Sequence, residues 1–365
     1  MLKNTKELVV IDYDPKLYRL VYKKIKKALV SRIKQEGDEQ IYLQNKGETP
    51  SQIVTYYTTD FFEKLVKQRR EALSNETSAS FYLLKRFIRS ALNAQGHYSV
   101  FEKHYGVSGQ CWRSIQTLRK ANPELVNNVL YSFDIRKIYQ TYCKVDLTIK
   151  QAAEILLRQF KEFADNKTLE KKNTFESGLN GVMGKLCLTI LDACELILRH
   201  GGASSFLKDI ESLMDSESNN TKDLSSNKKK LIQEIDGIFG FGNALSNDFF
   251  KDMGYPNFAK PDTHIMKIID RLNIHLYAEW GRSPEERAQE LIHNIALSVG
   301  RKTTDNQVDK IFWMWRSGVL EDLANLGTID ENKFEKQCEE IISDVREYKR
   351  TQFSKPPSSK VMHEH

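Results

Sequence analysis

Residues 231–272 read LIQEIDGIFGFGNALSNDFFKDMGYPNFAKPDTHIMKIIDRL, and the reading of the whole chain turns on them. A helical segment over 231–236 meets Gly237-Ile238-Phe239-Gly240-Phe241-Gly242, and a second helix is expected from about Asn243. Gly240 and Gly242 permit positive φ and a very tight turn, with Asn243 or a neighbour expected to cap the following helix. Such a helix, glycine hairpin and helix aims backbone N–H groups at one phosphate, a contact that reads no base. The same glycines also suit an ordinary interhelical turn. Further on, Lys260-Pro261-Asp262-Thr263-His264 opens another amphipathic helix, and Asp262 stands where an acidic N-cap would.

Outward from this stretch the chain is mostly α. It has 365 residues, 40% of them hydrophobic and 28% charged, which excludes whole-chain disorder, a collagen-like repeat and a disulfide scaffold. Five cysteines with no CxxC give neither a disulfide framework nor a thiolate zinc site, so free thiols are expected. No run of 18 apolar residues and no secretory h-region occur, from which a cytoplasmic protein without a membrane anchor is expected. The net charge of +6 permits a polyanionic partner. KLYRLVYKKIKKALVSRIK (16–34) carries apolar Leu17, Leu20, Val21, Ile25, Ala28 and Leu29 at helical spacing. Its basic side reads as a solvated face over a packed stripe, with phosphate contact as the alternative. ELVVIDYD (7–14) is the one fair strand candidate.

Three regions are expected: 1–80, basic and helical; 81–330, the main domain; and 331–365, a helix and a frayed tail. SNETSAS (74–80) suggests the first boundary, before a helix starting near Phe81, and DSESNNTKDLSSNKKK (215–230) reads as a mobile loop.

The order hairpin, helix, KPDTH, helix resembles the helix-hairpin-helix superfamily of DNA glycosylases, of endonuclease III-like fold, whose pattern is LPGVG, a helix, then VDTH. Ala91-Leu92-Asn93-Ala94-Gln95 is similar to that family's LSAQ, and Met183-Gly184-Lys185-Leu186 with His200-Gly201-Gly202 to its N-S-K-A helix ending in H-N-G. The resemblance covers about a third of the chain and implies a two-lobed helical DNA glycosylase fold. It makes Asp262 the catalytic carboxylate and Gln95 the wedge filling the space of an extruded nucleotide. Asn93, Gly240, Phe241, Gly242, Asn243, Ala244, Lys260, Thr263 and His264 would meet DNA, and Lys267 flanks the same aspartate. Main-chain oxygens of Asp236, Ile238 and Phe241 would hold K+ or Na+. Bifunctional members attack the sugar with a lysine where this chain has Ala244, so no β-lyase activity is expected. Only Cys338 follows the motif, so no iron–sulfur cluster is expected either.

Breaking an N-glycosidic bond develops positive charge on the sugar, which an ionised Asp262 would stabilise while orienting water. The helix dipole at an N-cap favours that anion. An extruded base needs a pocket, for which Tyr98, Phe101, Tyr105, Trp112, Trp313 and Trp315 are the aromatic candidates, each also suited to the core. DNA is the expected partner, met by a monomer. The leading expectation is a monofunctional DNA glycosylase, in repair or in defence against modified phage DNA. Two alternatives stand beside it: a hypermodification enzyme of the α-glutamyl/putrescinyl-thymine pyrophosphorylase type, and a non-catalytic DNA-binding module.

Overall fold

The computed structural model describes residues 14–37, 49–93, 105–107, 111–112, 114–164, 175, 177–215, 221–274, 283–320 and 324–353. The strand candidate at 7–13, Gln95, Tyr98, Phe101 and the tail from 354 lie outside them. Among the described residues the chain is mostly helical, and no helix is long and apolar enough to cross a membrane.

The helices follow in order: α1 (Pro15–Glu36), α2 (Pro50–Thr55), α3 (Phe61–Ala72), α4 (Glu76–Asn93), α5 (Ile115–Ala121), α6 (Ile135–Tyr142) and α7 (Ile149–Glu162). Then come α8 (Val182–Arg199), α9 (Ala203–Asp215), α10 (Thr221–Asp236), α11 (Asn243–Asp252), α12 (Thr263–Arg271), α13 (Pro284–Val299), α14 (Asp305–Ser317) and α15 (Glu331–Phe353). A short antiparallel ribbon, β1 (Val319–Leu320) and β2 (Ala324–Asn325), precedes α15. No alternating pattern in the sequence announced it.

Two polar stretches depart from expectation. SNETSAS does not separate domains: Asn75 accepts the Ser78 N–H at 2.9 Å and starts α4 at Glu76. Small polar residues here serve as a helix start, which composition alone reads as a linker. Likewise the expected loop at 215–230 is helical from Thr221, because Leu231 and Ile235 give α10 a buried edge. The Asn227 amide also donates to Leu213 O at 3.0 Å.

The chain divides into two compact units, 1–62 with 256–365 and 63–255. These bounds differ from 1–80, 81–330 and 331–365, and the reason lies in long-range packing. In the terminal unit, Val21, Ile25, Leu29 and Ile33 of α1 are fully buried in one core with residues of α12, α13, α14 and α15. An apolar stripe near the start is therefore covered by helices more than 230 residues later. In the central unit α8 is the buried axis, with α4, α6 and α7 packed around it.

One buried guanidinium closes the terminal unit. Arg32, 1% exposed, donates to Trp315 O at 2.8 Å and to Gly327 O, and pairs with Glu36 at 2.6 Å. Trp315 O belongs to the last turn of α14, whose carbonyls have no partner within the helix. Burial pushes the Glu36 carboxyl up, but hydrogen bonds from Lys333 and Arg32 outweigh it and hold the pKa below the ordinary value. Gly318 ends α14 at φ +73°, where a Cβ would stand 2.0 Å from Gly327 O. Gly327 has φ +75° but open space around it. Gly318→Ala is therefore expected to cost about 2–5 kcal/mol, from a left-handed residue plus overpacking, and Gly327→Ala only about 1–2 kcal/mol. Urea titration of both variants checks the difference, and equal losses would refute the close approach.

Candidate functional site

The glycine hairpin is held from behind by α8. The Phe239 N–H donates to Asp192 at 2.9 Å, and the Thr189 hydroxyl lies 2.9 Å from Phe239 O. Burial raises the Asp192 pKa, partly offset by that backbone hydrogen bond. Ile238 and Phe241 turn inward, and the Phe241 ring meets Phe87 and Phe249. Between them Phe239 stays exposed at the tip. Gly240 has φ +82°, so the turn requires it, whereas Gly242 is extended and has no such requirement. Ser246 donates to Asp236 at 2.7 Å and ties the two helices together.

Gly242, not Asn243, is the N-cap of α11, and it supplies no side-chain cap. Asn243 instead opens the helix and accepts from the Asn247 amide at 2.7 Å. As a result the N–H groups of Gly240, Gly242, Asn243 and Ala244 have no acceptor among the described residues. The α9 N-terminus is answered quite differently: Glu76 accepts the Ala203 and Ser204 N–H groups at 2.7 and 2.9 Å. A Cβ on Gly202 would stand 2.8 Å from the same carboxylate. His200, ending α8, reaches Asp209 at 2.8 Å and so serves packing.

Asp262 lies in the terminal unit and is the N-cap of α12. Its Oδ1 accepts the His264 and Ile265 N–H groups at 2.9 and 3.1 Å, while Oδ2 has no hydrogen-bond donor among the described residues. The residue is half-buried. The segment leading to it is fastened at three backbone points. Asn306 N–H donates to Pro256 O at 3.1 Å, the Gln289 amide to Ala259 O at 3.3 Å, and Lys260 N–H to Asp309 at 3.1 Å. Phe258, Ala259 and Pro261 are buried, so the carboxylate projects from rigid backbone.

Three braces, Gln289, Asn306 and Asp309, were not found by sequence reasoning. Asp309 had a signal: it falls in phase with Val308, Phe312 and Trp315, where a charge is expensive unless it is paired. Gln289 had none.

His264 sits beside Asp262. Burial pushes its pKa below the ordinary histidine value; the Asp262 charge opposes this, and Arg316, Lys260 and Lys267 add to the lowering. Lys267 is committed to Glu331 at 2.9 Å, and Arg316 donates to the same carboxylate at 2.8 Å. Thr263 is exposed. Asn93 is the last residue of α4. Trp112, Tyr105 and Trp315 are core aromatics, at most 3% exposed, and so do not offer a free stacking face. Their sequence neighbourhood suggested a pocket, but tertiary packing absorbs them. Trp313 is partly buried, with Lys310 5.1 Å from its ring.

Comparison with known protein families, curated proteins and solved structures finds no match.

Two outcomes follow from this geometry. Asp262→Ala is expected to lose about 1 kcal/mol as the cap disappears, whereas Asp262→Asn, an equally good cap, is expected to stay within a few tenths. Urea midpoints decide it, and an Ala variant as stable as the parent would remove the cap. For His264, a folded pKa below the unfolded one means its contribution is whole above about pH 6.5 and falls as pH drops toward the folded value. His264→Gln should therefore lose less stability than the parent between pH 7.5 and 5.5, measured by denaturation at each pH.

Proposed function

We propose that the protein is a monofunctional DNA glycosylase, which hydrolyses the N-glycosidic bond of an extruded damaged or modified base and leaves an abasic site. The observation that carries this is the state of Asp262. One carboxylate oxygen is pinned by two backbone N–H groups, and the other has no hydrogen-bond donor among the described residues. Structural capping uses the first oxygen and leaves the second for chemistry. The hairpin supports the same reading, since its N–H groups at 240 and 242–244 are left for an outside acceptor, and a phosphate oxygen suits them.

In the reaction, the ionised Asp262 stabilises positive charge growing on the sugar as the base departs, and orients the attacking water. A neutral His264, in keeping with its lowered pKa, adds no competing positive charge beside that carboxylate. Ala244 cannot form a Schiff base, so the reaction ends at the abasic site. In the hairpin, Ile238 O accepts from Phe241 N–H at 3.0 Å and keeps a lone pair, while the Asp236 and Phe241 carbonyls accept no hydrogen bond among the described residues. These three oxygens suit a monovalent cation, which would add positive charge toward the phosphate.

Incubation with genomic DNAs of differing base chemistry, followed by mass spectrometry, tests the reading. A free base with an abasic site is expected, and Asp262→Asn should reduce release by about 100-fold or more while duplex binding persists. An altered base still joined to its sugar would mean a modification enzyme instead. Binding with no product from any DNA would mean a non-catalytic module.

A further inference from the structure

Helix α1 spans 22 residues and holds eight Lys or Arg (positions 16, 19, 23, 24, 26, 27, 32 and 34) against one acid, Glu36, a net +7. The whole chain is +6, so the other 343 residues sum to −1. Two of the eight are accounted for by the fold: Arg32 is buried on Glu36, and Lys24 pairs with Asp344 at 2.6 Å. Lys16, Arg19, Lys23, Lys27 and Lys34 are exposed and recur at three- or four-residue steps, broken by Ser31. Among the described residues, the four lysines have no ion-pair partner. Arg19 donates to Ser298 O at 2.7 Å, which brings exposed Arg301 and Lys302, just beyond α13, toward one end of the row.

Folding gives no reason for the four lysines of this row, because like charges four residues apart on a helix repel. The opposite face explains why it is not a membrane anchor: Val21, Ile25, Leu29 and Ile33 are fully buried in the core, so no apolar face is left to enter a bilayer. From Lys16 to Lys34 the row runs about 27 Å along a straight helix. Its regular single-sign charge is complementary to a line of phosphates. The side chains are lysines, point charges that bind phosphate without reading bases.

We infer that the exposed face of α1 is an interface for the phosphodiester backbone of duplex DNA, independent of base sequence. The choice of DNA as the polyanion rests on the glycosylase reading above; the charged face itself does not.

The test uses the full chain and an undamaged duplex. Affinity is measured against salt for the parent, for a variant with Lys16, Lys23, Lys27 and Lys34 changed to Gln, and for the matching Lys→Arg variant. Each phosphate released flattens the slope of log K against log salt by about 0.9. The Gln variant should lose roughly 2–4 units of slope, while the Arg variant keeps it, with folding checked by circular dichroism. An unchanged slope in a folded Gln variant overturns the inference. So does a loss confined to anionic phospholipid vesicles, with duplex binding intact. Base release is read separately: absent product with a flattened slope sinks the glycosylase reading and leaves this interface standing, whereas product with an unchanged slope does the reverse.

Discussion

A mostly helical chain lives or fails by what it does with helix ends, since each end leaves backbone groups that the helix itself cannot satisfy. This protein meets much of that demand with local Ser, Thr and Asp caps, and the rest partly with charged side chains brought from far away. Arg32 answers carbonyls at Trp315 and Gly327. In the other unit Arg69 donates to Met253 O at 2.9 Å, just past α11, pairs with Glu211 at 2.6 Å and lies 3.8 Å from the Tyr255 ring. Glu76 answers the N-terminus of α9. Losing Arg32 or Arg69 leaves buried polar groups uncompensated, which costs more than the bond itself contributes.

The same demand gives the candidate site its meaning. At α9 and α12 a carboxylate takes up the first N–H groups. At α11 the cap is a glycine without a side chain, on an exposed turn. Ser or Thr side chains cap α2, α5, α7, α13 and α14, and α8 shares with α11 a glycine start without a side-chain cap. The α11 start differs in that Gly242 is exposed while Gly181 is half-buried, and on the glycosylase reading proposed above an acid at that exposed start would repel phosphate.

How much of this was legible depended on where each residue's partner lay. The α1 stripe, the glycine turn between α10 and α11 and the cap at Asp262 were readable because their signals are local: apolar spacing, a Gly-x-Gly, and an acid before a helical run. The helix at Thr221 was missed because the buried residues described in it, Leu231 and Ile235, lie beyond the polar stretch. SNETSAS was misread because helix starts and linkers share a composition. Arg32 looked like one more surface cation in a basic helix, and its acceptors lie 283 and 295 residues away. Gln289 was invisible for the same reason. Asp309 was half-legible, an acid in apolar phase whose purpose appears only once Lys260 N–H is seen to reach it.

Charge placement carries the last step. A net +6 spread evenly over 365 residues would be a weak attraction for any polyanion. Here one helix carries it all, and the remainder is near neutral. That helix spends its apolar side on the terminal core, and Lys16, Lys23, Lys27 and Lys34 on its other side have no ion-pair partner among the described residues. Attraction concentrated on one rigid face orients a charged partner as well as recruiting it, because long-range steering follows where the field is, not the net sum. On the glycosylase reading proposed above, lysines on phosphates would supply a grip indifferent to sequence, with recognition of a particular base left to groups elsewhere.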